Sequence, residues 1–100
     1  MKPAHYTERP LNGRVVLVTG GGHRVGAHLV RALAGAGAEV VVHAHRSLDA
    51  ATALARALPA RAMAVGADLA SPTAAAQIPD SAAAQGFEVD ALVHPAAGFL

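Results

Sequence analysis

The sequence contains no cysteine, and only three of its 100 residues are aromatic. Without cysteine the chain has neither disulfides nor thiolate ligands for a metal ion, which suits a reducing compartment. With so few rings, the core must be built from valine, leucine, isoleucine and alanine. The hydrophobic fraction is still 53%, against 15% charged residues, and this balance excludes a disordered chain.

Strong charge and long apolar runs are also missing. The formal net charge is +1, and no basic stretch alternates with aromatic residues, so we expect no nucleic-acid partner. Glycine, histidine or charged residues interrupt every apolar run before it reaches the roughly 20 residues of a membrane-spanning helix. Residues 1–10 lack the apolar segment of a signal peptide. We therefore expect a cytoplasmic protein with no membrane anchor.

Short apolar runs alternate with helix-like stretches along the chain, in the order βαβαβαβ. Strands are predicted at 14–18, 40–42, 61–65 and 91–94, and helices at 24–34, at 47–58 with Ser47 as N-cap, and from 72 onward with an interruption at Pro79. This alternation predicts an α/β fold with a doubly wound parallel sheet. Residues 1–12 would form an N-terminal extension and residues 13–100 a partial dinucleotide-binding domain.

A glycine-rich turn follows the first predicted strand and leads into the first helix. It reads Thr19-Gly20-Gly21-Gly22-His23-Arg24-Val25-Gly26. Glycine permits a tight turn, and the N–H groups at a helix start attract an anion such as a pyrophosphate. The segment does not end in the Gly-Lys-Ser/Thr of nucleotide hydrolases. Glycines that serve the turn alone are the alternative interpretation.

Six histidines raise the question of a metal site. His43 and His45 share one face of the second strand, but no third histidine or carboxylate stands at ligand spacing, so we predict no metal site. His23, within the glycine turn, is better explained as a polar group beside a phosphate.

These segments resemble the short-chain dehydrogenase/reductase family, whose first turn reads Thr-Gly-x-x-x-Gly-x-Gly. Arg24 replaces the middle glycine here. That replacement and the segment His43-Ala44-His45-Arg46-Ser47 are similar to the pteridine reductase subgroup. The resemblance covers residues 12–99 and implies NADP(H) as cofactor. It also implies a Rossmann-type sheet with strand order 3-2-1-4, truncated after the fourth strand. It implies the following cofactor-binding residues: Gly20, His23, Arg24, Val25 and Gly26 at the pyrophosphate, His45, Arg46 and Ser47 at the 2′-phosphate, Asp68 and Leu69 at the adenine, and Ala96.

The end of the second strand independently favours NADP(H) over NAD(H). It carries no acidic residue to accept hydrogen bonds from the ribose hydroxyls, whereas the Arg46 guanidinium can donate two charge-assisted hydrogen bonds to a phosphate. A solvated surface arginine is the alternative. Farther along, His94 and Pro95 replace the two asparagines of the family's fourth-strand motif. Phe99 would stack on a pterin substrate, or it is an ordinary core residue.

The hydride-transfer chemistry of the family uses a Tyr-x-x-x-Lys pair beyond the fourth strand. The single tyrosine and lysine here are Tyr6 and Lys2. We therefore expect the N-terminal NADP(H)-binding segment of an oxidoreductase that reduces a pterin or another carbonyl or imine compound, with no turnover by this segment alone. The alternative is a non-catalytic nucleotide-binding or regulatory module. We also expect self-association through the exposed edge at residues 91–93.

Overall fold

Four parallel strands with helices on both faces make up the structure, a computed structural model that describes residues 10–22 and 24–95. The elements in chain order are β1 (Val15–Val18), α1 (Arg24–Gly35), β2 (Glu39–Ala44), α2 (Leu48–Ala57), β3 (Ala62–Gly66), α3 (Pro72–Ala84) and β4 (Ala91–Val93). The sheet order is β3-β2-β1-β4. The predicted doubly wound parallel sheet and its strand order are confirmed.

The two central strands are rich in valine because both of their faces are covered. All four residues of β1 are buried, and Val40, Val41 and Val42 of β2 have no exposed surface. β-Branched side chains suit such strands because they pack well on a pleated surface. The parallel register pairs Val18 with Val42 on one side and with Val93 on the other, so the carboxyl ends of these strands lie at one edge of the sheet.

The sheet divides the core into two layers. On one face, α1 and α2 pack residues such as Val30 and Leu54 against Val16 and Val18. On the other face, α3 contributes Ile78 and Ala82, which pack with Phe87 against the opposite side chains of β1 and β2. No helix in the described part of the chain is long and apolar enough to cross a membrane.

The predicted interruption of the third helix at Pro79 is wrong, because α3 continues through it to Ala84. Proline removes one N–H donor from the helix, but Pro79 is exposed while its neighbour Ile78 is buried. Packing of Ile78 and Ala82 against the sheet therefore holds the helix together. The start of α3 follows the sequence prediction, since the Ser71 hydroxyl accepts a hydrogen bond from the Ala74 N–H at 3.2 Å.

Charged side chains form ion pairs and hydrogen bonds at the amino-terminal edge of the sheet, opposite the loops predicted to bind a ligand. The Arg61 guanidinium lies 2.7 Å from a Glu39 carboxylate oxygen and 4.0 Å from the centroid of the Phe87 ring. Asp90 accepts a hydrogen bond from the Val15 N–H at 3.0 Å. These contacts fix the base of the sheet and leave the carboxyl ends of the strands to form a site.

Candidate functional site

A cleft of about 420 Å³ opens at the carboxyl ends of the strands. The chain runs outward from β1 to β3 and then returns to the opposite side of β1 as β4, so the strand order reverses between β1 and β4. Ligands of doubly wound sheets bind at such a switch point. The cleft is lined by residues at or after the carboxyl ends of all four strands: Thr19, Gly20, His43, His45, Asp68, Leu69, Ala70, His94 and Pro95.

The glycine turn is tight at two positions. Gly20 has a φ of +64°, in the left-handed region that residues with a Cβ rarely adopt. A Cβ added at Gly26 would lie 2.2 Å from the Gly20 carbonyl oxygen and 2.8 Å from the Gly21 Cα. Since both neighbours are backbone atoms, only glycine lets α1 begin this close to the turn.

The first two glycine amides of the turn already have acceptors. The Gly20 N–H donates to His43 Nδ1 at 3.1 Å, and the Gly21 N–H donates to the His43 carbonyl oxygen at 2.8 Å. An anion would therefore meet the N–H groups of the first turn of α1, which have no acceptor within the helix. Arg24 and Val25 begin that helix and are exposed.

His43 is a cleft residue that the sequence weighs as a metal ligand and includes in the segment after the predicted second strand, without a binding role. Its side chain is 2% exposed, and both ring nitrogens are engaged, because Nε2 lies 2.8 Å from the Ala67 carbonyl oxygen. Since Nδ1 accepts from Gly20, the proton must be on Nε2, which donates to Ala67. No group of three or more potential ligands in the described residues could hold a metal ion.

The segment after β2 lies between the glycine turn and the loop after β3. His45 Nε2 is 3.7 Å from a carboxylate oxygen of Asp68, and both side chains are about half exposed. Ser47 occupies the predicted N-cap position of α2, but its side chain makes no capping hydrogen bond. A Cβ added at Gly22 would lie 3.5 Å from the Ser47 carbonyl oxygen, so the start of α2 borders the turn.

His94, which stands where the sequence analysis placed the first replaced asparagine, also faces the cleft. Its Nδ1 is hydrogen-bonded to the hydroxyl of Thr19, and the Thr19 N–H donates to the Val93 carbonyl oxygen at 3.0 Å. These bonds join the end of β1 to the end of β4. Thr19, His43 and His94 are not among the predicted binding residues. Their common signal is position, since Thr19 and His94 directly follow a strand and His43 is the penultimate residue of β2.

The structure brings most of the predicted site residues to one edge of the sheet. Gly20, His45, Asp68 and Leu69 line the cleft, and Arg24, Val25 and Gly26 open α1. Arg46 is exposed and stands beside Ser47 at the start of α2. The remaining three predicted residues lie outside the described residues: His23, Ala96 and Phe99. The role of each residue in binding stays a prediction.

A sequence model of the family described as short chain dehydrogenase matches residues 14–99. The chain belongs to the short-chain dehydrogenase family. The match covers β1 through the segment after β4, and with it the glycine turn and every segment that lines the cleft. The family resemblance noted in the sequence is thereby confirmed.

Relatives within the family include an uncharacterised oxidoreductase of Mycobacterium tuberculosis, 38% identical over 90 residues, which cover 88% of this chain and 34% of the relative. A blue fluorescent protein from a metagenomic library, solved in complex with NADPH, is 40% identical with a TM-score of 0.77, over 83% of this chain and 36% of that protein. The FolM alternative dihydrofolate reductase 1 of Brucella canis, complexed with NADP, is 32% identical with a TM-score of 0.75, over 84% of this chain and 35% of that protein. The chain thus spans about a third of the length of these relatives.

Proposed function

We propose that this chain forms the NADP(H)-binding segment of a short-chain oxidoreductase. The observation that carries the proposal is the cleft at the switch point of the sheet, bordered by a tight glycine turn and by the start of α2. Family members with the same fold that are complexed with NADPH or NADP support it. When bound, the cofactor would supply a hydride to the substrate.

The residues present fit a phosphorylated adenosine better than an unphosphorylated one. β2 ends in His43 and Ala44, so no carboxylate stands there to accept hydrogen bonds from ribose hydroxyls. The next three residues, His45, Arg46 and Ser47, offer an imidazole, an exposed guanidinium and a hydroxyl that caps no helix. We assign these three groups to the 2′-phosphate, because a guanidinium binds phosphate through charge-assisted hydrogen bonds.

The other contacts follow from the order of the segments around the cleft. The N–H groups at the start of α1, from the exposed Arg24 and Val25 and the buried Gly26, would hold the pyrophosphate, together with His23, since a helix start favours an anion. Asp68 and Leu69, which line the cleft, would contact the adenine. Ala96 is assigned to the cofactor.

For the substrate we propose a pterin or another carbonyl or imine compound, with Phe99 stacking on its ring. The likeness to the FolM alternative dihydrofolate reductase supports this class. Tyr6 and Lys2 do not form the Tyr-x-x-x-Lys pair of the family, so we propose that this segment binds cofactor without turning over substrate. Steady oxidation of NADPH by the purified chain with any such compound would contradict that part of the proposal.

Binding of NADPH and NADH, measured by calorimetry, tests the cofactor assignment. We expect Arg46→Ala to weaken NADPH binding by about 10- to 100-fold, the effect of one lost charged hydrogen bond, and to leave NADH binding unchanged. Arg56→Ala is the matched control, because Arg56 is exposed at the opposite end of α2. Equal losses for both cofactors, or equal affinity of the wild type for both, would refute the assignment to the 2′-phosphate.

A further inference from the structure

We propose that His43 is a positioning residue, whose neutral imidazole holds two walls of the cleft at a fixed separation. One wall is the glycine turn after β1 and the other is the loop after β3. The inference rests on the proposed function in one respect, namely that the ligand held between these walls is NADP(H).

The His43 imidazole joins these two loops through both of its ring nitrogens. Nδ1 accepts from the Gly20 N–H at 3.1 Å, and Nε2 donates to the Ala67 carbonyl oxygen at 2.8 Å. The ring is buried, with 2% of the residue exposed, so water does not compete for these bonds as it would at the surface. The backbone of the same residue adds a third bond, from the Gly21 N–H to its carbonyl oxygen at 2.8 Å.

Both walls carry residues that the proposed function needs. The Gly20 carbonyl oxygen lies where a Cβ on Gly26 would be 2.2 Å away, so the position of Gly20 sets where α1 begins. Ala67 directly precedes Asp68 and Leu69, which line the cleft. The His43 ring therefore fixes the pyrophosphate end and the adenine end of the proposed site relative to each other.

A histidine in its Nε2–H form supplies an acceptor and a donor on opposite sides of one rigid ring. Asparagine can place an oxygen near the Nδ1 position and so keep the bond from Gly20. Glutamine can place an amide N–H near the Nε2 position and so keep the bond to Ala67. Phenylalanine keeps the ring and loses both bonds. These three substitutions therefore test the bond from Gly20 and the bond to Ala67 separately and together.

The test compares His43→Asn, His43→Gln and His43→Phe with the wild-type chain in NADPH binding and in amide hydrogen exchange. We expect Asn and Gln each to weaken NADPH binding by about 3- to 10-fold and Phe by about 10- to 100-fold. The Gly20 amide should stay protected from exchange in the Asn variant and lose protection in the Gln variant. His28→Asn, on the exposed face of α1, is the control for loss of an imidazole.

The outcomes separate this inference from the proposed function. Failure of the wild-type chain to bind NADPH would overturn the proposed function and the link to the cofactor. The ¹⁵N shifts of the imidazole without cofactor report which nitrogen carries the proton, and a proton on Nδ1 would refute the two hydrogen bonds assigned to the His43 ring. A Gly20 amide equally protected in the Asn and Gln variants would refute them as well. If the Phe variant does not fold, wild-type affinity in both the Asn and Gln variants still refutes the positioning role.

Discussion

A single methyl group added at Gly26 tests how closely α1 approaches the glycine turn. The Cβ of Gly26→Ala would lie 2.2 Å from the Gly20 carbonyl oxygen and 2.9 Å from its carbonyl carbon. An ordinary non-bonded contact is about 3.5 Å, so the backbone would have to move by about 1 Å. No side-chain rotation can relieve the overlap, because the neighbouring atoms belong to the main chain.

Two opposing effects set the size of the stability change. Overpacking typically costs about 1 to 3 kcal/mol, and replacing glycine by alanine within a helix regains about 1 kcal/mol. The shift required here is large, so we expect a net loss of about 2 kcal/mol. For a domain of this length such a loss lowers the Tm by about 8 to 16 °C. Binding of NADPH should weaken as well, because the N–H groups at the start of α1 move with the helix.

Gly35→Ala provides the matched control in the same helix. A Cβ at Gly35, the last residue of α1, would meet no heavy atom within 4 Å. We expect this variant to be as stable as the wild type, or more stable by up to about 1 kcal/mol. Urea unfolding followed by circular dichroism measures both variants. Equal midpoints for Gly26→Ala and Gly35→Ala would refute the reasoning about the turn.

Three further predictions concern other parts of the fold. The Val15 N–H and then the Arg14 guanidinium hold the pKa of Asp90 below its ordinary value. Since folding thus favours the carboxylate, the wild type should have a higher free energy of unfolding than Asp90→Asn at pH 7, and this difference should shrink below about pH 4. Urea unfolding measures the difference, and a pH-independent one would contradict the prediction. Leu92→Lys, at a site 62% exposed on β4, should reduce self-association in sedimentation equilibrium, and a monomeric wild type would contradict the expected association through this edge. Pro79→Ala restores a helix N–H and should raise the free energy of unfolding by about 1 to 2 kcal/mol in urea. An unchanged midpoint would contradict this and show that the missing hydrogen bond costs α3 no stability.

The sequence is most informative where one local signal suffices. The valine run of β1 predicts a strand buried on both faces, and the glycines after α1 predict where that helix ends within about one residue. Ser71 followed by Pro72 correctly marks the start of α3. In each case the signal is a property of the residues themselves, namely β-branching, conformational freedom or capping, and the rest of the fold does not overrule it.

The sequence is least informative where distant contacts decide. Pro79 predicts a helix break, but the burial of Ile78 against the sheet overrides that local preference. His43 lies in β2 beyond the valine run, and its partners are backbone atoms 23 and 24 residues away in the chain. No spacing pattern can reveal such a bond, because every residue type except proline supplies the same backbone N–H and C=O groups.

The unequal thickness of the two core layers has a consequence for how the domain opens. In the described residues, eleven buried side chains form the layer beneath α1 and α2, whereas six form the layer beneath α3. The helix over the thinner layer, α3, contributes two buried residues, whereas α1 and α2 contribute three each. We therefore expect α3 to detach first in local fluctuations. Because α3 leads from the Ala67–Asp68 loop toward β4, such fluctuations would loosen the proposed adenine side of the cleft while the glycine turn stays in place. The proposed phosphate contacts would then hold a bound cofactor most firmly.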